Sequence, residues 1–153
     1  MKNRYAIRFG SLFAIALVVA AIALSLAVAQ DVGKTAPPPV TISQLAGTWT
    51  ATLSGVTGCG TSTLQTTFTL DATGNGTQSS AVLHTVGCGD VDHSGESAQI
   101  QSLRSNGNGF IALGCGVGCG FGFKIQVARN LQVFNMGAQA VSGNYLAGVA
   151  VHR

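Results

Sequence analysis

Beyond the first forty residues, apolar side chains recur at every second position. Thr48-Trp49-Thr50-Ala51-Thr52-Leu53 sets Trp, Ala and Leu on one face and three threonines on the other. Leu64 to Leu70 alternates in the same way through Phe68. In Phe121-Gly122-Phe123-Lys124-Ile125-Gln126-Val127 four apolar side chains point one way, with Lys124 and Gln126 opposite. A period of two marks strands buried on one face. The only helix-like hint is one turn over 42–45. Turn-forming clusters separate the runs: Asp71 to Gly76, Ser105 to Gly109, Arg129-Asn130 and Ser142 to Asn144. Together they predict eight strands, over 47–54, 63–71, 77–85, 96–104, 109–115, 121–128, 131–137 and 144–152. Eight short strands with short connections predict an all-β fold, a small antiparallel up-and-down barrel, with a β-sandwich as the alternative.

The first 29 residues follow a different pattern. A basic start through Arg8 leads into an apolar run from Phe9 to Ala29, ending in Ala27-Val28-Ala29. That is the layout of a helical signal peptide with a small-x-small cleavage site. Left uncleaved, the same run is long enough to anchor the chain in a membrane. Residues 30–41, with Pro37-Pro38-Pro39, predict a semi-rigid extended linker. The remaining residues, 42–153, contain no proline and predict one domain.

Charge sharpens this division. The formal net charge of +3 resides in Lys2, Arg4 and Arg8, because the chain after Ala29 carries five bases and five acids. A nucleic-acid partner needs clustered basic residues on the working domain, so none is expected. Membrane contact is expected only through an uncleaved signal segment. No Gly-x-Ser-x-Gly elbow is present, the histidines (His84, His93, His152) form no catalytic pattern, and no enzyme is expected.

Leu45-Ala46-Gly47-Thr48-Trp49 resembles the Gly-x-Trp opening of the first strand in calycins, the lipocalin and avidin-like barrels. The resemblance implies that Trp49 closes the barrel's base beneath a basic residue near the end of the last strand, here Arg153.

In a meander, successive loops alternate between the two ends. Cys59, Cys88, Cys115 and Cys119 then fall at one end, the mouth, with Asp90, Asp92 and Glu96. Arg104, Arg129 and Arg153 fall at the base. Four cysteines in an exported chain predict two disulfides. The pairing Cys59–Cys88 with Cys115–Cys119 is favoured because the second pair is so close in sequence. Cys59–Cys119 with Cys88–Cys115 is the alternative, and a four-thiolate zinc site is a third reading. The flanking glycines let the backbones approach.

Asp90-Val91-Asp92-His93-Ser94-Gly95-Glu96 resembles the start of a calcium loop, with oxygen donors at Asp90, Asp92 and Ser94 and Glu96 beside them. Its twelfth position is Gln101 rather than a bidentate Glu, and a polar turn is the competing expectation. No cofactor beyond this candidate calcium is expected. His84 and His93 flank the loop. Asn75-Gly76-Thr77 is a glycosylation sequon. All fourteen threonines precede Val86, and their outward Thr-x-Thr runs suit exposed strands.

The expected function is binding of a small apolar ligand or a protein partner at the loop-rich mouth of an exported barrel. Trp49, Leu53, Leu64, Phe68, Phe121, Phe123 and Ile125 are the candidate lining, unless they fill the barrel. The alternatives are a protein-binding module such as an envelope protease inhibitor, with Thr35 to Thr41 as its extended arm, or a structural surface protein without a ligand. The expected location is the periplasm, the cell envelope or the medium.

Overall fold

The computed structural model describes residues 38–114, 120–138 and 144–153. Among the described residues, nine strands follow one short 3-10 turn (Ile42–Leu45). They are β1 (Gly47–Thr57), β2 (Gly60–Leu70), β3 (Asn75–Thr85), β4 (Gly89–Asp92), β5 (Ser97–Leu103), β6 (Asn108–Gly114), β7 (Phe121–Val127), β8 (Val133–Ala138) and β9 (Tyr145–His152). All pairings are antiparallel. β1 bonds to both β2 and β9, and β3 bonds to β2 and β5, so the ring β1-β2-β3-β5-β6-β7-β8-β9 closes on itself. The fold is the expected closed eight-stranded antiparallel barrel. Closure removes the sandwich alternative and leaves the ring without an open edge.

The strand β4 is the main departure from the expected layout. It pairs with the upper half of β3, while β5 pairs with the lower half. Between them His93–Glu96 runs opposite Gln78–Ala81 and keeps most of the ladder. The N–H groups of His93 and Gly95 donate to the carbonyls of Ala81 and Gln78 (both 2.7 Å), and Gln78 N–H donates to the Glu96 carbonyl (2.8 Å). Ala81 N–H finds the Ser94 hydroxyl at 3.0 Å where a strand would offer a carbonyl. The acidic loop is therefore half strand and half a turn inserted into a strand.

Two bulges set which residues face inward. β3 carries one extra residue at Ser79, and β5 one at Gln101. Each reverses the alternation, so Gln78 and Ala81 both face the interior. The core contains Trp49, Phe68, Phe123 and Phe134, each with no exposed surface. The Trp49 and Phe134 rings lie 4.5 Å apart between centroids, and Phe68 lies 6.3 Å from Phe134.

The chain closes the base with the residues just ahead of β1. Thr41 N–H donates to Gln44 Oε1 (2.8 Å), and Val40 N–H donates to the Ser105 carbonyl (2.9 Å). Leu45 is fully buried, and Val40 and Ile42 pack against the core beside it. The Trp49 indole N–H donates to the Leu45 carbonyl (2.9 Å), which satisfies a buried donor and fixes the 3-10 turn across the barrel end. The ring over Trp49 is His152, 4.7 Å away, not the expected Arg153. Strand parity explains this. His152 shares the inward face of β9 with Leu146 and Ala150, whereas Arg153 lies past the strand end, exposed, with its N–H on the Thr48 carbonyl.

Glycine is required at two points here. Gly47 has φ +135°, and a Cβ on it would strike the His152 ring. Gly148, opposite Leu53, brings β9 so close to β1 that a Cβ would enter the Thr52 carbonyl.

Candidate functional site

β1, β2 and β3 each run 11 residues. The β1–β2 and β3–β4 hairpins stand side by side at the mouth as a lip, and β9 reaches the β1–β2 tip, where Tyr145 pairs with Val56 and Gly58 N–H donates to Asn144 Oδ1 (2.7 Å). Ser62 pairs with Thr85 across β2 and β3, which sets the two hairpin tips side by side. Cys59 and Cys88 are disulfide-bonded there, with Cα atoms 5.7 Å apart. This is the favoured pairing, and it excludes the alternative of Cys59 with Cys119. Cys115 and Cys119 lie outside the described residues.

A layer of hydroxyls lies beneath the disulfide. Ser62 Oγ donates to the Gly60 carbonyl (3.0 Å) and lies 2.8 Å from Thr57 Oγ1 and 3.0 Å from Thr85 Oγ1. With Ser62's only hydroxyl proton on Gly60, the two threonines donate to Ser62. One layer lower, Thr66 Oγ1 donates to Gln78 Oε1 (3.0 Å). These buried groups join β1, β2 and β3 into one unit. They were not among the expected site residues. Ser62 continues the inward parity of Leu64, Thr66, Phe68 and Leu70, but Thr85 and Gln78 face inward together only because of the Ser79 bulge.

The lip presents exposed valines. Val86 at its crest is 76% exposed, and Val56, Val82 and Val91 are exposed beside it. Val91 is the direct partner of Leu83 and so shares its inward face.

The expected lining residues lie lower. Trp49, Leu53, Leu64, Phe68, Phe123 and Ile125 are each at most 3% exposed and belong to one core cluster. They touch one another and the remaining core, and almost none of their surface faces a water-sized space. Phe121 is half-buried near the mouth, stacked on Phe123 at 6.0 Å and meeting the edge of the His93 ring at 6.1 Å.

The acidic donors diverge. Asp90 pairs with His84 on the outer face of the lip. Asp92 accepts the Ser94 N–H at 2.8 Å, and the Ser94 hydroxyl and N–H hold its carboxyl below the usual aspartate range. The Ser94 hydroxyl is also committed to Ala81. Glu96 Oε1 lies 3.0 Å from His93 Nδ1, and its Oε2 is buried without a partner. Among the described residues no group of three or more His, Cys, Asp or Glu side chains is placed to hold a metal ion. The geometry is that of a polar turn stitched into the wall.

The chain matches no known family model, no curated protein and no solved structure. The closed barrel is compatible with a calycin-like architecture, and the disulfide is consistent with an oxidising compartment. Among the described residues no helix is long and apolar enough to cross a membrane.

Proposed function

We propose that this chain is an exported, calycin-like barrel that binds a protein partner through the disulfide-joined lip at its mouth. The observation that carries this reading is the contrast between the two ends of the interior. Below the hydroxyl layer the barrel is packed with aromatic and aliphatic side chains that leave almost no accessible surface. Above it, two hairpins are held together by a disulfide and present valines to solvent. A ligand in the interior would have to displace Phe68, Phe123 or Phe134, and a well-packed core resists that. A rigid lip with exposed valines is ready to bind, because little conformational entropy remains to be lost there. The signal-like first 29 residues and the disulfide both support a periplasmic, envelope or secreted location.

Photo-crosslinking in the native host tests the reading. A photoreactive residue replaces Val86 at the lip, and in a second variant Asn130 at the base. Protein adducts at position 86 and none at position 130 are expected. Equal yields at both, or none at 86, overturn it. Native mass spectrometry of the exported protein is the complementary measurement: a retained small molecule would return the interior to consideration as the binding site.

A further inference from the structure

Closure gives every ring strand a neighbour on each side. β4 is the exception: it ends the sheet order, and β3 is its one neighbour among the described residues. All four of its residues are exposed. The alternation of an antiparallel ladder tells which groups its second edge offers. His93 N–H donates to the Ala81 carbonyl (2.7 Å), so Leu83 and Val91, two places along, form the next bonded pair. The main-chain N–H and C=O groups of Asp90 and Asp92 then point away from β3, and they find no main-chain partner among the described residues. Such an edge is a template for one more strand. The side chains along it are sorted by face. Asp90 and Asp92 stand on the outer face, opposite His84 and Val82, and Val91 stands on the inner face with Leu83.

We infer that the free edge of β4 takes an extended segment of the lip's protein partner as an added antiparallel strand, with lysine or arginine opposite Asp90 and Asp92 and an apolar residue opposite Val91. The inference rests on the lip as the protein-binding surface. Opposed residues of a bonded pair share a face and exchange both main-chain hydrogen bonds. A basic residue opposite Asp90 or Asp92 therefore meets the carboxylate with its side chain while its backbone completes the ladder. No Lys or Arg of β3, β4 or the turn 93–96 competes for these carboxylates; His84 lies against Asp90, and Ser94 against Asp92. A second copy fits worse. Two β4 edges set antiparallel would place Asp90 of each opposite Asp92 of the other, and like charges directly opposed destabilise a ladder.

The probe is the peptide Lys-Val-Lys-Val-Lys, blocked at both ends and titrated into the isotope-labelled exported protein while its amide NMR signals are followed. In the free protein the Asp90 and Asp92 amides should exchange with solvent far faster than the Val91 amide. Slow exchange at both, the mark of an edge already covered, overturns the inference. Main-chain bonds to Asp90 and Asp92 with two exposed ion pairs correspond to a Kd on the order of 1 mM, with shifts centred on Gly89 to His93. Methyl groups on the lysine amides block the bonds to β4 and should weaken binding about tenfold, whereas methyl groups on the valine amides should leave it unchanged. The pair Asp90→Asn/Asp92→Asn should weaken it about fivefold, and Glu-Val-Glu-Val-Glu should not bind. Equal binding of the two methylated peptides, equal binding of the lysine and glutamate peptides, or no shift in β4 at ~10 mM peptide each overturns the inference. So does a protein that doubles its mass with the β4 edge protected, which makes a second copy the occupant. A peptide that fails at β4 while adducts form at position 86 overturns this inference and leaves the lip reading standing. Binding at β4 without those adducts overturns the lip reading alone.

Discussion

Replacing both Cys59 and Cys88 by serine should destabilise the whole barrel, although the bridge lies at its rim. The cross-link spans 29 residues of sequence. Closing a loop of that length in the unfolded chain removes entropy worth ~3.5 kcal/mol at 25 °C. The effect acts on the unfolded state, so the rim position does not reduce it. The native state offsets only a little, since the freed hairpin tips regain some motion while the hydroxyls of Thr57, Ser62 and Thr85 still join β1, β2 and β3. Both cysteines are exposed, so serine adds no buried polar group. For a domain of this size ~3.5 kcal/mol corresponds to a loss of roughly 10–15 °C in melting temperature. The assay is thermal unfolding of the double variant and the parent, followed by circular dichroism without reductant so that any other bridge is unchanged. A loss below ~3 °C would refute the reasoning, because less than ~1 kcal/mol of loop entropy would then be in play. Full loss of fold at room temperature would refute the magnitude in the other direction.

Other substitutions probe the base, the seam and the turn. Trp49→Phe should cost ~1–2 kcal/mol in urea unfolding by orphaning the Leu45 carbonyl, and Trp49→Ala ~3–5 kcal/mol by opening a cavity beside Phe134; equal costs would remove the hydrogen bond from the argument. Gly148→Ala should destabilise by more than ~2 kcal/mol, because its Cβ meets the Thr52 carbonyl, while Gly137→Ala, with open space around it, should stay within ~1 kcal/mol. Ser94→Ala should cost ~1–3 kcal/mol by leaving the Ala81 N–H without its acceptor, read by the same unfolding assay. Asp71 lies below its ordinary 3.8, first through the Thr73 hydroxyl and then through the Asn75 and Thr73 N–H groups. A lowered folded value contributes stability above 3.8 that disappears as pH falls through the lowered value. Melting temperatures of the parent and Asp71→Asn should therefore differ near neutral pH and converge in strong acid, and a constant gap would contradict that assignment.

The alternation of apolar residues identified the barrel because the signal is local. Trp49, Ala51 and Leu53, or Phe123, Ile125 and Val127, each occupy one face of one strand, and turn residues mark where each strand ends. Loop parity then placed Cys59 and Cys88 at one end from topology alone. The bulges at Ser79 and Gln101 break this reasoning, because an extra residue reverses parity without changing composition. Gln78 and Ala81 cannot both face inward in an unbroken strand, and no residue around Ser79 announces the break. Arg153 failed as the cover of Trp49 for the same kind of reason. One residue of register decides whether His152 or its neighbour faces the core, and that register is set by pairing with β1, a hundred residues away.

The acidic loop separates local from non-local information most clearly. Asp90, Asp92 and Ser94 have the spacing of cation ligands, and that spacing is all the sequence contains. What each oxygen does depends on β3. Ala81 takes the Ser94 hydroxyl, Gln78 takes the backbone of Gly95 and Glu96, and His84 takes Asp90. Once β3 supplies these partners, the donors are drawn outward and sideways along the wall instead of towards a common centre. The same turn returns the chain from β4, paired with Val82–Thr85, to β5, paired with Asn75–Thr77, so β3 belongs both to the ring and to the β3–β4 hairpin. The turn that resembles a metal loop is thus the device by which one strand serves both the closed ring and the hairpin above it. A substitution that freed Ser94 from Ala81 should loosen the lip before it loosens the barrel. Amide hydrogen exchange would show this as faster exchange in β4 with β6 to β9 unchanged, and uniform acceleration would show that turn and barrel open as one unit.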